Sequence, residues 1–146
     1  MSLSIGCSCS KLRKLSRKIT MIYDHHLAPD ELTVGQYSLL ARIGKLGPIG
    51  VIPLAQYMGL DRSTMSRTLK PLISLGWIQT LDLPIEELTD KRSFGVSLTA
   101  SGIAKWQSAK PNWQNAQQEI DHILGHETHQ DLMHLIDDAN AKFDLL

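Results

Sequence analysis

The pattern of apolar residues predicts a mainly α fold with a small β-ribbon, an α+β chain. Three observations carry this reading. Apolar residues recur at helical spacing through most of the sequence, the period changes after Gly76, and glycines stand where helices should stop. At 146 residues the chain fits a single domain, and at 42% hydrophobic it is too apolar to stay disordered. A chain of this length buries roughly two thirds of its unfolded surface and needs no disulfide or metal to fold.

The first helix is expected from about residue 8 or 10 to residue 26. Leu12, Leu15, Ile19, Ile22 and Tyr23 form its stripe, Lys11, Arg13, Lys14, Arg17 and Lys18 fill its other positions, and Pro29 ends it. Thr33-Val34-Gly35-Gln36 reads as a capping box opening a second helix with Tyr37, Leu40 and Ile43 on one face, stopped by Gly47-Pro48. A short helix over about 53–58 follows, then Gly59, then a helix capped by Asp61 with Met65, Leu69, Leu72 and Ile73 as its stripe. Pro71 costs that helix a backbone bond only near its end, and Gly76 terminates it. Residues 77–81 and 94–98 read as two strands of an extended ribbon around a polar segment. Thr99 caps a long helix to about residue 124, with a risk of interruption at Pro111. Gly125 separates it from a last helix over about 126–143 carrying Leu132, Leu135, Ile136 and Ala139.

Charge narrows the function classes. Fifteen basic and fifteen acidic residues cancel, yet residues 1–110 hold fourteen basic and eight acidic residues, and residues 111–146 hold one and seven. That asymmetry fits a face for an anion and a separate acidic segment. No apolar run is long enough for a membrane span and no leader peptide is visible, so a cytoplasmic protein is expected, with no membrane partner. Phosphate-binding loops, dinucleotide-binding glycine motifs and nucleophile elbows are missing from the sequence. An enzyme is not expected, and neither is a cofactor.

Two short helices joined by a glycine turn and followed by a ribbon describe a winged helix-turn-helix, whose second helix enters the DNA major groove. Met65 and Leu69 anchor that helix, and its other face offers Arg62, Ser63, Thr64, Ser66, Arg67 and Lys70. Small hydroxyls permit close approach, arginine can fork onto guanine, and lysine neutralises phosphate. Asp61 serves as cap, because a bare carboxylate there would repel DNA.

From Leu12 to about Leu124 the chain resembles the MarR family of bacterial transcription regulators. The resemblance rests on Leu54-Ala55, on Leu60-Asp61-Arg62-Ser63-Thr64-Met65-Ser66-Arg67-Thr68-Leu69, on Leu72 and Gly76-Trp77-Ile78, and on Asp90-Lys91-Arg92-Ser93-Phe94-Gly95-Val96-Ser97-Leu98-Thr99 with Gly102. It implies one MarR-like chain over 1–146, a winged DNA-binding lobe over 33–99, and dimerisation helices over 8–28 and 100–146. It further implies a homodimeric repressor on double-stranded DNA with a near-palindromic operator. In the wing, Asp90 is expected to hold Arg92 towards the minor groove, with Lys91 on phosphate. The acidic stretch around Pro84 departs from the family and leaves few cations near the wing tip.

The resemblance also implies release by an effector, either a small aromatic ligand or an oxidant. Candidate pocket residues are Tyr23, His25, His26, Tyr37 and Arg42. Cys7 and Cys9 are redox candidates, since a helix N-terminus lowers a thiol pKa and Lys11, Arg13 and Lys14 would add to that. A metal-responsive regulator is the alternative, with His122, His126, His129 and His134 near Asp121 and Glu127, although Gly125 spoils the spacing and no metal ligand set is assigned. A thiol enzyme and a protein-binding winged helix are the remaining alternatives.

Overall fold

The computed structural model describes residues 6–84 and 93–146. Among these described residues, six helices and three short strands follow in the order α1 (Ser8–Leu27), α2 (Val34–Leu46), β1 (Ile49–Gly50), α3 (Val51–Met58), α4 (Arg62–Ser74), β2 (Ile78–Leu81), β3 (Gly95–Leu98), α5 (Ala100–Leu124) and α6 (His126–Phe143). A 3-10 turn, Ala28–Asp30, follows α1. The chain divides into two compact units: residues 27–110, and residues 1–26 with 111–146.

Local chemistry sets the helix ends. The Thr33 hydroxyl accepts from the Gln36 backbone N–H at 3.2 Å, and the Gln36 side chain accepts from the Thr33 N–H at 3.0 Å. This reciprocal pairing satisfies two donors that the first turn of α2 would leave bare. Both α3 and α4 end in the same way. Gly59 (φ +66°) and Gly76 (φ +80°) take the left-handed conformation that a Cβ disfavours. Leu60 N–H then reaches back to Ala55 O, and Trp77 N–H to Leu72 O, closing each last turn. Pro71 lies inside α4 without ending it. Pro111 likewise does not interrupt α5, which runs unbroken through it.

The sheet departs from the two-stranded expectation. A third, two-residue strand joins it, giving the antiparallel order β1-β3-β2. Ile49 and Gly50 pair with Val96 and Gly95, while residues 78–81 pair with 95–98 from Ile78↔Leu98 to Leu81↔Gly95. The physical reason is the tight passage from α2 to α3, which brings this segment onto the free edge of β3. There the Val51 N–H also bonds to Phe94 O at 2.9 Å.

The core of the 27–110 unit comes from α2 (Tyr37, Leu39, Leu40, Ile43), α3 (Val51, Leu54, Ala55), α4 (Met65, Leu69, Leu72) and the sheet (Ile78, Val96, Leu98). Thr99 links the sheet to α5: its hydroxyl donates to Gly76 O at 2.6 Å and accepts from the Gly102 N–H at 3.0 Å. Gly102 is needed beside it, because an added Cβ would sit 2.0 Å from Trp77 O. The Leu-Thr-x-x-Gly spacing is thus a capped helix start laid directly on the backbone of the strand entrance. No helix among the described residues is long and apolar enough to cross a membrane.

Candidate nucleic-acid interface

The interface is built from α3, the Gly59 turn and α4. Asp61 opens α4, its carboxylate accepting from the Thr64 N–H at 2.7 Å. That bond, with the Thr64 hydroxyl next and Arg67 and the Ser63 N–H as smaller causes, holds the carboxyl below its usual range, so the cap is ionised at neutral pH. One face of α4 is locked in the core through Met65, Leu69 and Leu72. The helix cannot rotate about its axis without exposing these side chains, so its other face is fixed too.

That outward face carries Arg62, Ser63, Ser66, Arg67 and Lys70, all exposed, with Thr64 half-buried at its margin. Thr68 is turned onto its own helix, its hydroxyl donating to Thr64 O at 2.8 Å. The Arg67 guanidinium lies 3.5 Å from the Thr64 hydroxyl, too far to immobilise it. Among the described residues, none of Arg62, Arg67 and Lys70 forms an ion pair. The exposed Arg62, Arg67 and Lys70 with small hydroxyls on a helix fixed by its buried side can contact phosphates and base edges. Asp90, Lys91 and Arg92, expected in the wing, lie outside the described residues.

The other candidates divide between the two units. In the 27–110 unit, Tyr37 is buried in the core and hydrogen-bonds the Trp106 side chain, and burial raises its pKa. Arg42 stacks on the ring of exposed Tyr57 at 4.7 Å, a pairing that sequence reasoning missed because helix periodicity carries no sign of it. In the terminal unit, the Tyr23 hydroxyl donates to Gln117 and burial raises its pKa. His26 Nε2 meets Glu119 Oε2 at 2.5 Å, and His25 packs edge-on against His26 at 5.7 Å.

Cys7 and Cys9 are both exposed free thiols. The Cys7 pKa is lowered, chiefly by the Ser10 side chain and then by the backbone N–H groups of Ser10 and Cys9. First-turn donors thus lead the effect rather than the neighbouring lysines and arginines. Of the histidines, His126 and His129 both turn onto Asp121, at 3.2 and 3.0 Å, and lower its pKa, with His129 the larger cause. Among the described residues no group of three or more potential ligands is arranged to hold a metal ion. The break at Gly125 (φ +80°) separates His122 from His126, so the two do not share a helical face.

The model of the MarR family matches residues 32–93, the stretch containing α2 through α4 and the start of the sheet. The chain is 30% identical over 90 residues to the multiple antibiotic resistance protein MarR of Salmonella typhimurium, covering 62% of this chain and 60% of that protein. It therefore spans less than two thirds of the length of that relative. The crystal structure of the M. tuberculosis transcriptional regulator MosR in complex with DNA is similar over 93% of this chain and 98% of its own, with 30% identity and a TM-score of 0.75. A cysteine-to-serine mutant of E. coli MarR complexed with operator DNA shares the fold at a TM-score of 0.77, with 24% identity over 89% of this chain and 91% of its own.

Proposed function

The chain belongs to the MarR family, and from that premise we propose that it is a DNA-binding transcription regulator, acting as a homodimeric repressor on a near-palindromic operator. The observation that carries this reading is the outward face of α4, where Arg62, Arg67 and Lys70 stand exposed and unpaired among the described residues on a helix fixed by its buried side. In this reading α4 enters the major groove. Arg67 reads a base, Ser63, Thr64, Ser66, Arg62 and Lys70 contact backbone or base edges, and the wing residues Asp90, Lys91 and Arg92 reach the neighbouring minor groove. A two-fold dimer joined by the terminal helices sets the two copies of α4 about 34 Å apart, one turn of DNA. The protein works by binding rather than catalysis, in the cytoplasm where its DNA is.

For the effector we favour oxidation at Cys7. Its thiol is exposed and its pKa is lowered, which raises the fraction of reactive thiolate. Thiolate attack on hydrogen peroxide transfers one oxygen to sulfur, giving a sulfenic acid and releasing hydroxide, and a thiol of a second chain can then attack that sulfur, displacing water and forming an intersubunit disulfide. A small aromatic ligand held near Tyr23 and His26 is the second reading, supported by the half-buried Tyr23 hydroxyl.

The test is a titration of the reduced protein against DNA from upstream of its own gene, with excess competitor, at about physiological ionic strength. Saturable binding tighter than to competitor, weakening steeply as salt rises, is expected. Equal affinity for every DNA would overturn the operator reading. A Cys7→Ser/Cys9→Ser variant is expected to bind DNA and ignore peroxide, whereas a continued response to peroxide would exclude the thiols as the switch.

A further inference from the structure

The corner between α5 and α6 holds a cluster that DNA reading leaves unused. Helix α6 buries none of its residues, and within it only His129 and Leu132 are as much as half-buried. Its N-cap, Gly125, has no side chain with which to accept from the first turn. Asp121, in the last turn of α5, reaches across the corner instead. Its Oδ1 lies 3.2 Å from His126 Nδ1 and 3.0 Å from His129 Nδ1, so one carboxylate oxygen ties two places in the opening turn of α6. His129 is the shielded partner, its side chain 16% exposed against 72% for His126, so water screens its contact less. The cleft around the carboxylate is lined by Gln117, Gln118 and His122 of α5 and by the two α6 histidines, with no lysine or arginine among its described residues. His122 is exposed and makes neither of the Asp121 contacts. Glu127, also in the first turn of α6, is exposed and outside any ion pair among the described residues. From α1 the Tyr23 hydroxyl donates to Gln117, and burial raises its pKa, so it stays neutral.

A neutral imidazole has one N–H and must carry it on Nδ1 to donate here, whereas a protonated ring donates from both nitrogens and adds the opposite charge. We propose that Asp121, His126 and His129 form a pH-sensitive clasp holding α6 against α5, firmer when an imidazole is protonated than when both are neutral. All three residues belong to one chain. Only the consequence for assembly rests on the homodimer reading above, in which α6 is a dimerisation helix. Imidazole side chains change charge between about pH 5 and 8, so the charged form of the clasp grows as pH falls through that interval. Asp121 is held below its ordinary 3.8, first by the His129 hydrogen bond, so its own charge is lost only in stronger acid. The clasp is therefore firmest in mild acid and weaker on either side. A cation in the opening turn of a helix opposes the helix dipole, so without the carboxylate the same protons would loosen α6 rather than fix it.

The test uses the full-length reduced protein without DNA. Amide hydrogen exchange is followed by mass spectrometry at about pH 5.5 and about pH 8.0, corrected for the intrinsic effect of pH on exchange. In the wild type, protection of the first two turns of α6 is expected to be about fivefold or more higher at the lower pH, with peptides of the 27–110 unit unchanged. Asp121→Asn keeps the size of the side chain and removes its charge, and its α6 protection is expected to be flat or to fall on acidification. His129→Gln is expected to lose most of the response. His26→Gln, which breaks the other imidazole–carboxylate contact of this unit, with Glu119, is expected to keep it. Unchanged protection of the 27–110 unit shows that each variant is folded. Wild-type protection indifferent to pH would overturn the proposal, as would an undiminished response in Asp121→Asn. So would a response lost in His26→Gln and kept in His129→Gln, which would assign it to the contact between α1 and α5. Sedimentation of the same samples is expected to show a dimer severalfold tighter at the lower pH in the wild type alone. A chain monomeric at both pH values whose α6 protection still follows pH would remove the homodimer reading and leave the clasp standing.

Discussion

In the 27–110 unit, α2, α3 and α4 each turn an apolar stripe inward, and Leu40, Leu54, Met65 and Leu72 keep no exposed surface. The terminal unit has α1 and α6 with stripes of similar spacing, yet among its described residues only Ala116 and Ile120 are buried, while Leu12, Met21, Leu135 and Phe143 are more than half exposed. Sequence periodicity is the same kind of observation in both regions, but what covers the stripe differs. The first region satisfies its apolar faces within its own chain and leaves the polar face of α4 exposed. The second leaves its apolar faces exposed, and under the proposed homodimer these are the faces a second chain covers. Stability should therefore reside in the lobe and assembly in the ends.

The largest effect that could break this contrast lies in the lobe core. Leu54→Ala and Leu69→Ala remove fully buried side chains and are expected to destabilise the protein by about 2–5 kcal/mol, measured by denaturant unfolding. A loss below 1 kcal/mol would mean that the lobe is not the stable core. The recognition face comes next. Arg67→Ala is expected to weaken operator binding by about 1–3 kcal/mol and to relax preference at one base position, leaving unfolding unchanged. Unchanged affinity would remove Arg67 from the interface. Lys70→Ala is expected to weaken all DNA alike, and a loss confined to one base position would contradict its role on phosphate. At the ends, Leu135→Ala is expected to leave lobe unfolding within about 0.5 kcal/mol of wild type while raising the dimer dissociation constant. Equal dimer affinity would place the interface elsewhere.

A smaller effect concerns the cap of α4. Asp61 is held below its ordinary pKa of 3.8 in the folded chain, so its contribution is full above that value and is lost as pH falls through the lower, folded pKa. Asp61→Ala is expected to lower the unfolding temperature at pH 7, with the gap to wild type closing under strong acid. Asp61→Asn keeps an acceptor for the Thr64 N–H and is expected to lose less. A gap that stays constant with pH would assign the effect to something other than the carboxylate.

Much of the fold was legible because its punctuation is local. The Thr33 and Gln36 box, the Asp61 cap and the left-handed glycines 59, 76 and 125 involve atoms within a few residues of one another, so type and spacing suffice. Strand β1 was not legible: two residues have no period, and their pairing with Val96 and Gly95 joins positions far apart in sequence. Pro111 marked a risk of interruption within a helix expected to reach about residue 124, and α5 runs unbroken through it. In the site, the outward residues of α4 follow directly from the register of Met65, Leu69 and Leu72. The burial of Tyr37 against Trp106, the seat of Arg42 on Tyr57 and the meeting of His126 and His129 on Asp121 depend on tertiary neighbours, which spacing does not encode.

The most direct test of the central claim is selection of bound sequences from a random pool of duplex DNA, with the reduced wild-type protein and with Arg67→Ala in parallel. The wild type should enrich one near-palindromic sequence with half-sites about one helical turn apart, and Arg67→Ala should lose preference at a symmetric pair of positions within it. Enrichment of no sequence by the wild type, or of the same sequence with undiminished preference by the variant, would contradict the account of α4 as the element that reads DNA.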